Sequence, residues 1–524
     1  MEPDILGLIS CSVPRLVVRL RGKLSPMNTL RLSRRRLLEG ALTTTGITSM
    51  SSAWPIAAQA QDSSPASALV VARILNRVSF GDLPPAAVKH AKIILASTLA
   101  SAASGIGIGS VRIVRELAKE QGGQPDATVW FDGAKLPVAE AARVNAMLSD
   151  AAASDDSDLR NVAHTGTCLT AVGLAIGART ATTGADVLQA MVAGYEAAGR
   201  LGEALGASSG SSSRGVGAIS GSVGRAFHAS SIVAFGGAVT AARLLRLTEE
   251  QMAHAIGITA TTVGGLAIGT NSWAREYHAG NAALCAVNAA LAAGRGYRVN
   301  SDMLEAPGGF LAVFGGGKPD TSHLTRALDN NYQITRYLAI KLVPGAHALH
   351  PAVEAAINAA RNSRQPEDVA KILVAGPQSR LAARSQAPKD MIEAIHSLPY
   401  YLASAVADKD FSWVHASPEK IQRPVIARLM GLVEQDPSPP SVSYEWGWGA
   451  TVTIVTKSGD RYTSTVDAPK GSAPRGIEWS DVDAKFRALM PQSGMAANRI
   501  EDALKLIHDF DQAKQASELP NLLL

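Results

Sequence analysis

The chain of 524 residues is long enough for two or more domains, and 46% hydrophobic against 18% charged residues lets it bury sizeable cores, which excludes a disordered or fibrous protein. A low aromatic share of 5%, 47 glycines and long alanine-rich runs describe small side chains packed closely on helices. The 50 basic residues exceed the 45 acidic ones, but residues 1–60 hold eight basic and three acidic side chains and the remainder 42 of each, with no basic run interleaved with aromatics, so nucleic acid is set aside as a partner.

Residues 1–60 read as an export signal. Ser33-Arg34-Arg35-Arg36-Leu37-Leu38 has the form of a twin-arginine motif, 41–55 is weakly apolar, and Ala58-Gln59-Ala60 is a small-x-small cleavage site. The expectation is a periplasmic protein, cytoplasmic if the signal does not function, with no membrane partner after cleavage because no apolar span of membrane length follows. From Ser67 to about Asn300 apolar residues recur at helical spacing and predict helices over 85–104, 138–153, 184–205, 231–247, 248–268 and 280–294. The Gly/Ser-rich stretch 208–224 interrupts them and predicts a mobile loop. Further on, 340–343 and 370–375 read as strands with a helix over 350–362 between them. A hairpin over 450–466 turns at Ser458-Gly459-Asp460, 437–441 (PSPPS) is a linker or surface loop, and 479–489 and 498–511 return to helix. The fold class is therefore mainly α with an α+β part. It divides into the signal at 1–60, a helical domain at 61–272, a smaller α/β domain at 273–469 and C-terminal helices at 470–524 that return to the helical domain.

Chemistry is concentrated in a few polar islands. Asp155, Asp156 and Asp158 fall within four residues and precede His164, all between two apolar helices. Three such carboxylates repel one another, so either water solvates them in a loop or a bound cation or substrate uses them. His164, followed by Thr165-Gly166-Thr167, stands at a helix start, where free backbone N–H groups favour an anion. Arg225-Ala226-Phe227-His228 and Arg275-Glu276-Tyr277-His278 each set an arginine three residues before a histidine, a pairing that suits an anionic substrate needing proton transfer, though helix caps and surface polar groups look the same. Cys168 and Cys285 lie in apolar helical patterns and read as buried free thiols. No metal-ligand spacing occurs, so no metal is expected.

Several segments resemble the 2-methylcitrate dehydratase (MmgE/PrpD) family, which also contains cis-aconitate decarboxylases and an epimerase of an iminosuccinate-type dicarboxylate. They include Phe80-Gly81-Asp82-Leu83-Pro84-Pro85, the acidic island with His164, Gly194-Tyr195-Glu196 with Gly199-Arg200-Leu201, Phe227-His228, His278-Ala279-Gly280-Asn281-Ala282-Ala283, Ile340-Lys341, His350-Pro351-Ala352 and Ser397-Leu398-Pro399-Tyr400. The matches run in order through most of residues 67–490. The resemblance implies a helical domain with a smaller α/β lid, a homodimer, an active site between the domains and neither metal nor organic cofactor. His164, His228 and His278 match histidines of the family pattern, Lys341 matches a further position, and Arg225 and Arg275 stand where characterised members often carry lysine. The acidic island departs from the family's Asp-x-Asp-Asp-Thr, since its first position is Ala153 or Ser154, and Glu203 stands where many members have a histidine.

The expected activity is that of a cofactor-independent hydro-lyase acting on a small di- or tricarboxylic acid. His164, His228 and an aspartate of Asp155, Asp156 and Asp158 are the catalytic candidates, and Arg225, Arg275, His278 and Lys341 the substrate-binding ones. Because arginine does not readily donate its proton, the two lysine-to-arginine departures favour binding over acid catalysis and release the substrate from methylcitrate. Decarboxylation or epimerisation of a related acid, and an exported carboxylate-binding protein without catalysis, stand as the alternatives.

Overall fold

Alanine and glycine at helical spacing decide the larger part of the architecture. The computed structural model describes residues 65–160, 162–208, 227–315, 320–362, 365–383 and 388–524; the expected export signal, Arg225 and nearly all of the Gly/Ser-rich stretch lie outside the described residues. Among the described residues the α-helices α1 (Ser67–Asn76), α2 (Pro85–Gly105), α3 (Gly109–Gln121), α4 (Val138–Ala151), α5 (Thr165–Thr180), α6 (Gly184–Ser208), α7 (Ser230–Leu244), α8 (Glu249–Thr262) and α9 (Ala274–Gly294) come first. The most extensive packing is of α6 on α7 and of α4 on α9. A Cβ at Gly194 would come 2.6 Å from the Gly236 carbonyl oxygen, and one at Gly236 would come 2.7 Å from that of Gly194, so glycine at both positions lets α6 and α7 touch backbone to backbone. Helix α8 begins at a capping box, with the Thr248 hydroxyl accepting from the Gln251 N–H and the Gln251 side chain accepting from the Thr248 N–H. It stops at Thr262, six residues short of the expected end, because Gly264 and Gly265 follow and Gly265 takes φ +135°. Among the described residues no single helix is long and apolar enough to cross a membrane.

Two short strands join distant parts of the chain. Strand β1 (Asp156–Asp158) pairs antiparallel with β2 (Leu338–Ile340), Asp156 opposite Ile340. The sequence placed a strand at 340–343 in the α/β part; its ladder partner is instead the acidic island of the helical part. Helix α10 (His350–Asn362) follows, then β3 (Val369–Ala375), α11 (Leu398–Asp408), β4 (Val433–Gln435), β5 (Ala450–Thr456) and β6 (Arg461–Val466). The sheet runs β4-β3-β5-β6, with β4 parallel to β3 and the other pairs antiparallel. The expected hairpin turn is present, Gly459 at φ +92° and its N–H bonded to the Thr456 carbonyl at 3.0 Å.

Two large hydrophobic clusters result. The first gathers buried residues from Ala68 to Ile340 and again from Ile477 to Leu523, the second those from Leu349 to Val466. The division expected at 273 therefore falls inside one core: α9 starts at Ala274 and packs on α4, α7 and α8. Helices α12 (Trp479–Leu489) and α13 (Ala497–His508) belong to the first cluster, α12 lying on α2.

A buried ion-pair network fixes where β2 arrives. On α6 the Arg200 Nε donates to Glu196 Oε1 at 2.8 Å, and its Nη1 donates to the carbonyls of Leu324 and Arg326 at 2.9 and 2.6 Å. Glu196 Oε2 accepts the Gln333 N–H at 2.9 Å, five residues before β2. Removing one partner of such a pair strands a buried charge. Glu196→Ala is therefore expected to destabilise the fold by about 3–5 kcal/mol, read as a lowered midpoint of urea unfolding, with Glu196→Gln losing less.

Candidate active site

The acidic island is not a solvated loop. Asp155, Asp156 and Asp158 are all buried, and left-handed backbone at Ala153 (φ +49°) and Val162 (φ +56°) brackets them. Such non-glycine residues cost about 1–3 kcal/mol each and persist where the surroundings over-determine them. Here the surroundings are the β1–β2 ladder. Its register continues with the Lys341 N–H donating to the Asp155 carbonyl at 3.1 Å, which sets the two side chains together.

Lys341 Nζ donates to Asp155 Oδ1 at 2.6 Å. Asp155 Oδ2 accepts from Thr167 Oγ1 at 3.1 Å and lies 2.9 Å from His164 Nδ1, which is also 2.7 Å from the Asp156 carbonyl. Both neighbours of Nδ1 are acceptors, so Nδ1 carries the proton and Nε2 is left as the exchanging nitrogen. Burial alone would raise the Asp155 pKa, but the charges of His164 and Lys341 and their hydrogen bonds hold it below the usual carboxylate range. Burial alone would lower His164, yet the Asp155 charge and hydrogen bond, with the Asp150 charge, together outweigh it and the opposing Lys341, and the imidazolium is favoured.

Asp156 sits at the start of α5, where the Gly166 N–H reaches both carboxylate oxygens at 3.0 Å. A Cβ on Gly166 would come 2.6 Å from Asp156 Oδ1 and from Ile94 Cγ2, so only glycine admits this approach. Burial, with the Asp155 charge beside it, pushes the Asp156 carboxyl up to about 7. Asp158 does something else. It accepts the Arg160 N–H at 2.9 Å and pairs with its guanidinium, which stacks 3.6 Å above the Tyr337 ring and also bonds Glu203. Asp158, expected to be catalytic, thus closes the turn, and Glu203, standing in for a family histidine, is occupied by Arg160 and by Arg326 at 2.7 Å.

His228 and His278 lie with ring centroids 5.0 Å apart. The Ser230 N–H donates to His228 Nδ1 at 3.2 Å, so His228 Nε2 carries the proton; burial lowers this histidine to about 4, making it a neutral donor at neutral pH rather than an acid. It feels the charges of Asp150, His164, His278 and Arg275, which ties this pair to the same centre. His278 Nδ1 is buried without a hydrogen bond, and burial lowers its pKa.

Two expected substrate cations are already engaged. Arg275 donates through Nε to Asp150 Oδ2 at 3.1 Å and through Nη2 to the carbonyls of Asp150 and Ala151 at 2.9 and 2.8 Å, so it closes the end of α4. Lys341 is held by Asp155. Arg225 lies outside the described residues. Asp150, Asp155 and His164 have ligand atoms within 4.8 Å of one another. Arg275 and Lys341 match the two carboxylates one to one, so a divalent cation there would have to displace an ion pair.

The sequence reading missed four residues. Asp150 hides in the apolar run of α4. His347 and His350 are buried with rings 4.6 Å apart, His347 5.1 Å from Trp448 and within the field of Lys341, His164 and Asp155. Burial keeps both neutral, His350 at about 3. Lys485 was readable: with Val482, Phe486 and Leu489 it occupies the apolar face of its helix. Cys168 and Cys285 are free thiols, and burial pushes Cys168 up to about 12.

The model of the MmgE/PrpD N-terminal domain matches residues 70–322 and that of the MmgE/PrpD C-terminal domain residues 344–509. Curated relatives include the cis-aconitate decarboxylase of Homo sapiens, 22% identical over 463 residues, covering 86% of this chain and 93% of that protein. That of Mus musculus is 22% identical over 469 residues, covering 86% and 92%.

The raised His164 stabilises the fold below its ordinary 6.5, a contribution lost as pH rises through the higher folded value; the depressed Asp155 stabilises it above its ordinary 3.8, a contribution lost as pH falls through the lower folded value. Asp155→Asn removes both. The expected result is that His164, followed by histidine-resolved NMR titration, moves from above 6.5 to below it, since burial then prevails.

Proposed function

Because the chain belongs to the MmgE/PrpD family, we propose that it is a lyase acting on a small di- or tricarboxylic acid by proton transfer through His164, without a metal or an organic cofactor. The observation that carries this reading is the locked Nδ1 of His164. Asp155, itself pinned by Lys341, favours the imidazolium and leaves Nε2–H to deliver a proton. The neutral His228 Nε2–H can hydrogen-bond a developing enolate oxygen without giving up its proton.

For a substrate with a carbon–carbon double bond, the proton moves from Nε2 to one alkene carbon, the electron pair of the neighbouring C–CO2⁻ bond forms the new double bond, carbon dioxide leaves, and His164 is reprotonated from solvent. The likeness to two cis-aconitate decarboxylases favours this outcome. Loss of water, the outcome first expected from the sequence, has His164 protonate the departing hydroxyl while a base takes the α-proton. Asp156, near 7 and adjacent, supports that second reading. The twin-arginine sequence supports a periplasmic location. The exposed Leu266, Ile268, Trp273 and Tyr277 beside His278 support burial of that face in a homodimer.

Two measurements test the reading. Incubation with cis-aconitate, citrate, methylcitrate and other hydroxy acids, followed by mass spectrometry, is expected to show loss of carbon dioxide from one acid. Loss of water would select the second outcome, and binding without product would sink both. His164→Ala is expected to lower kcat by about 10²–10⁴-fold while leaving substrate Kd nearly unchanged. In light scattering the chain is expected to have a dimer mass, and Ile268→Asp with Trp273→Asp a monomer mass.

A further inference from the structure

Lys485 is the one buried lysine besides Lys341 among the described residues, and the mechanism above does not use it. It sits on α12, over three hundred residues from the acidic island in sequence, yet its Nζ donates to the Ser154 carbonyl and, at 2.7 Å, to Ser97 Oγ of α2. Its ammonium also lies 5.8 Å from the Trp413 ring. Among the described residues no carboxylate bonds it directly. A buried ammonium satisfied by a carbonyl and a hydroxyl is a costly arrangement that an apolar side chain would avoid.

We propose that Lys485 is a positioning residue of the proton-transfer centre: it pins the Ser154 carbonyl, so that Asp155 enters the β1–β2 ladder facing Lys341, and it adds a second buried ammonium to the charges around Asp155 and Asp156. The inference rests on the reading of Asp155, Lys341 and His164 as that centre. The charges acting on Lys485 are Asp155 and Asp156, which attract it, and Lys341, which repels it. Other neighbours are engaged elsewhere: Asp481, Asp483 and Arg487 of α12 with Lys470, His508 and Glu501, and Lys92 and His90 of α2 with Asp511 and the Ile334 carbonyl. Asp502 and Lys505 of α13 are exposed. Burial lowers Lys485 to about 7, so its charge is poised near neutrality.

The test compares the wild-type chain with Lys485→Met and Lys485→Arg. For Lys485→Met, kcat on the acid that wild type converts is expected to fall about 10²-fold with KM changed far less, and the acidic limb of its pH profile to move to higher pH. Lys485→Arg, which keeps the charge, is expected to hold the limb in place. An unchanged kcat and limb, or a loss that only follows the unfolded fraction with the limb unmoved, overturns the proposal. A second arm needs no turnover. The folded chain sheds the Lys485 proton near 7 while the unfolded chain holds it to about 10.5, so wild-type stability is expected to rise with pH across that window. Lys485→Met is expected to lack that rise; an identical rise in both overturns the proposal. If wild type converts no acid, the function reading has failed and this arm alone decides on Lys485.

Discussion

The two-stranded ladder between Asp156–Asp158 and Leu338–Ile340 is the constraint on which the rest depends. Each strand is three residues long and could not stand alone in water. It persists because it is buried between helices α2 and α5 and because the Glu196–Arg200 network delivers the second strand to the first. Its register has a chemical consequence. A slip of one residue would turn Lys341 away from Asp155 and separate a buried ammonium from its carboxylate.

From that pair the protonation of the centre follows. Asp155 is held ionised by His164 and Lys341, and burial, with the like charge beside it, drives Asp156 up to about 7. His164 is drawn towards its imidazolium, while buried His228, His347 and His350 and half-buried His278, with no carboxylate among the described residues bonded to them, are shifted towards the neutral form. One fold thus presents a charged proton donor among neutral imidazoles, separated by where a single carboxylate lies. The charges are balanced locally, Asp150 by Arg275 and Asp155 by Lys341, so the centre can be buried without a large net field.

The small side chains that dominate the composition serve this arrangement. Backbone contact between α6 and α7 at Gly194 and Gly236, and the approach of Gly166 to Asp156, need side chains no larger than hydrogen. The strain at Ala153 and Val162 is confined to the ends of the island, where the Val162 N–H donates to the Asp158 carbonyl and the Ala153 carbonyl accepts the Gly345 N–H, both at 2.9 Å.

The sequence by itself determined the helices, through apolar spacing and caps such as Thr248; the hairpin, through Ser458-Gly459-Asp460; and the candidates His164, Asp155, Asp156 and Lys341, through local polarity and family resemblance. These are properties of neighbours along the chain, and local physics decides them. Only the tertiary structure decided which candidates meet. Arg275 looked free for a substrate but caps α4, and Asp158 looked catalytic but closes a turn with Arg160. Lys485 was not singled out although its helical face was apolar, and a boundary drawn at 273 cut through one core. In each case the partner lies far away in sequence, and burial removes the water that would otherwise have satisfied the group, so the pairing is fixed by packing and leaves no local pattern to read.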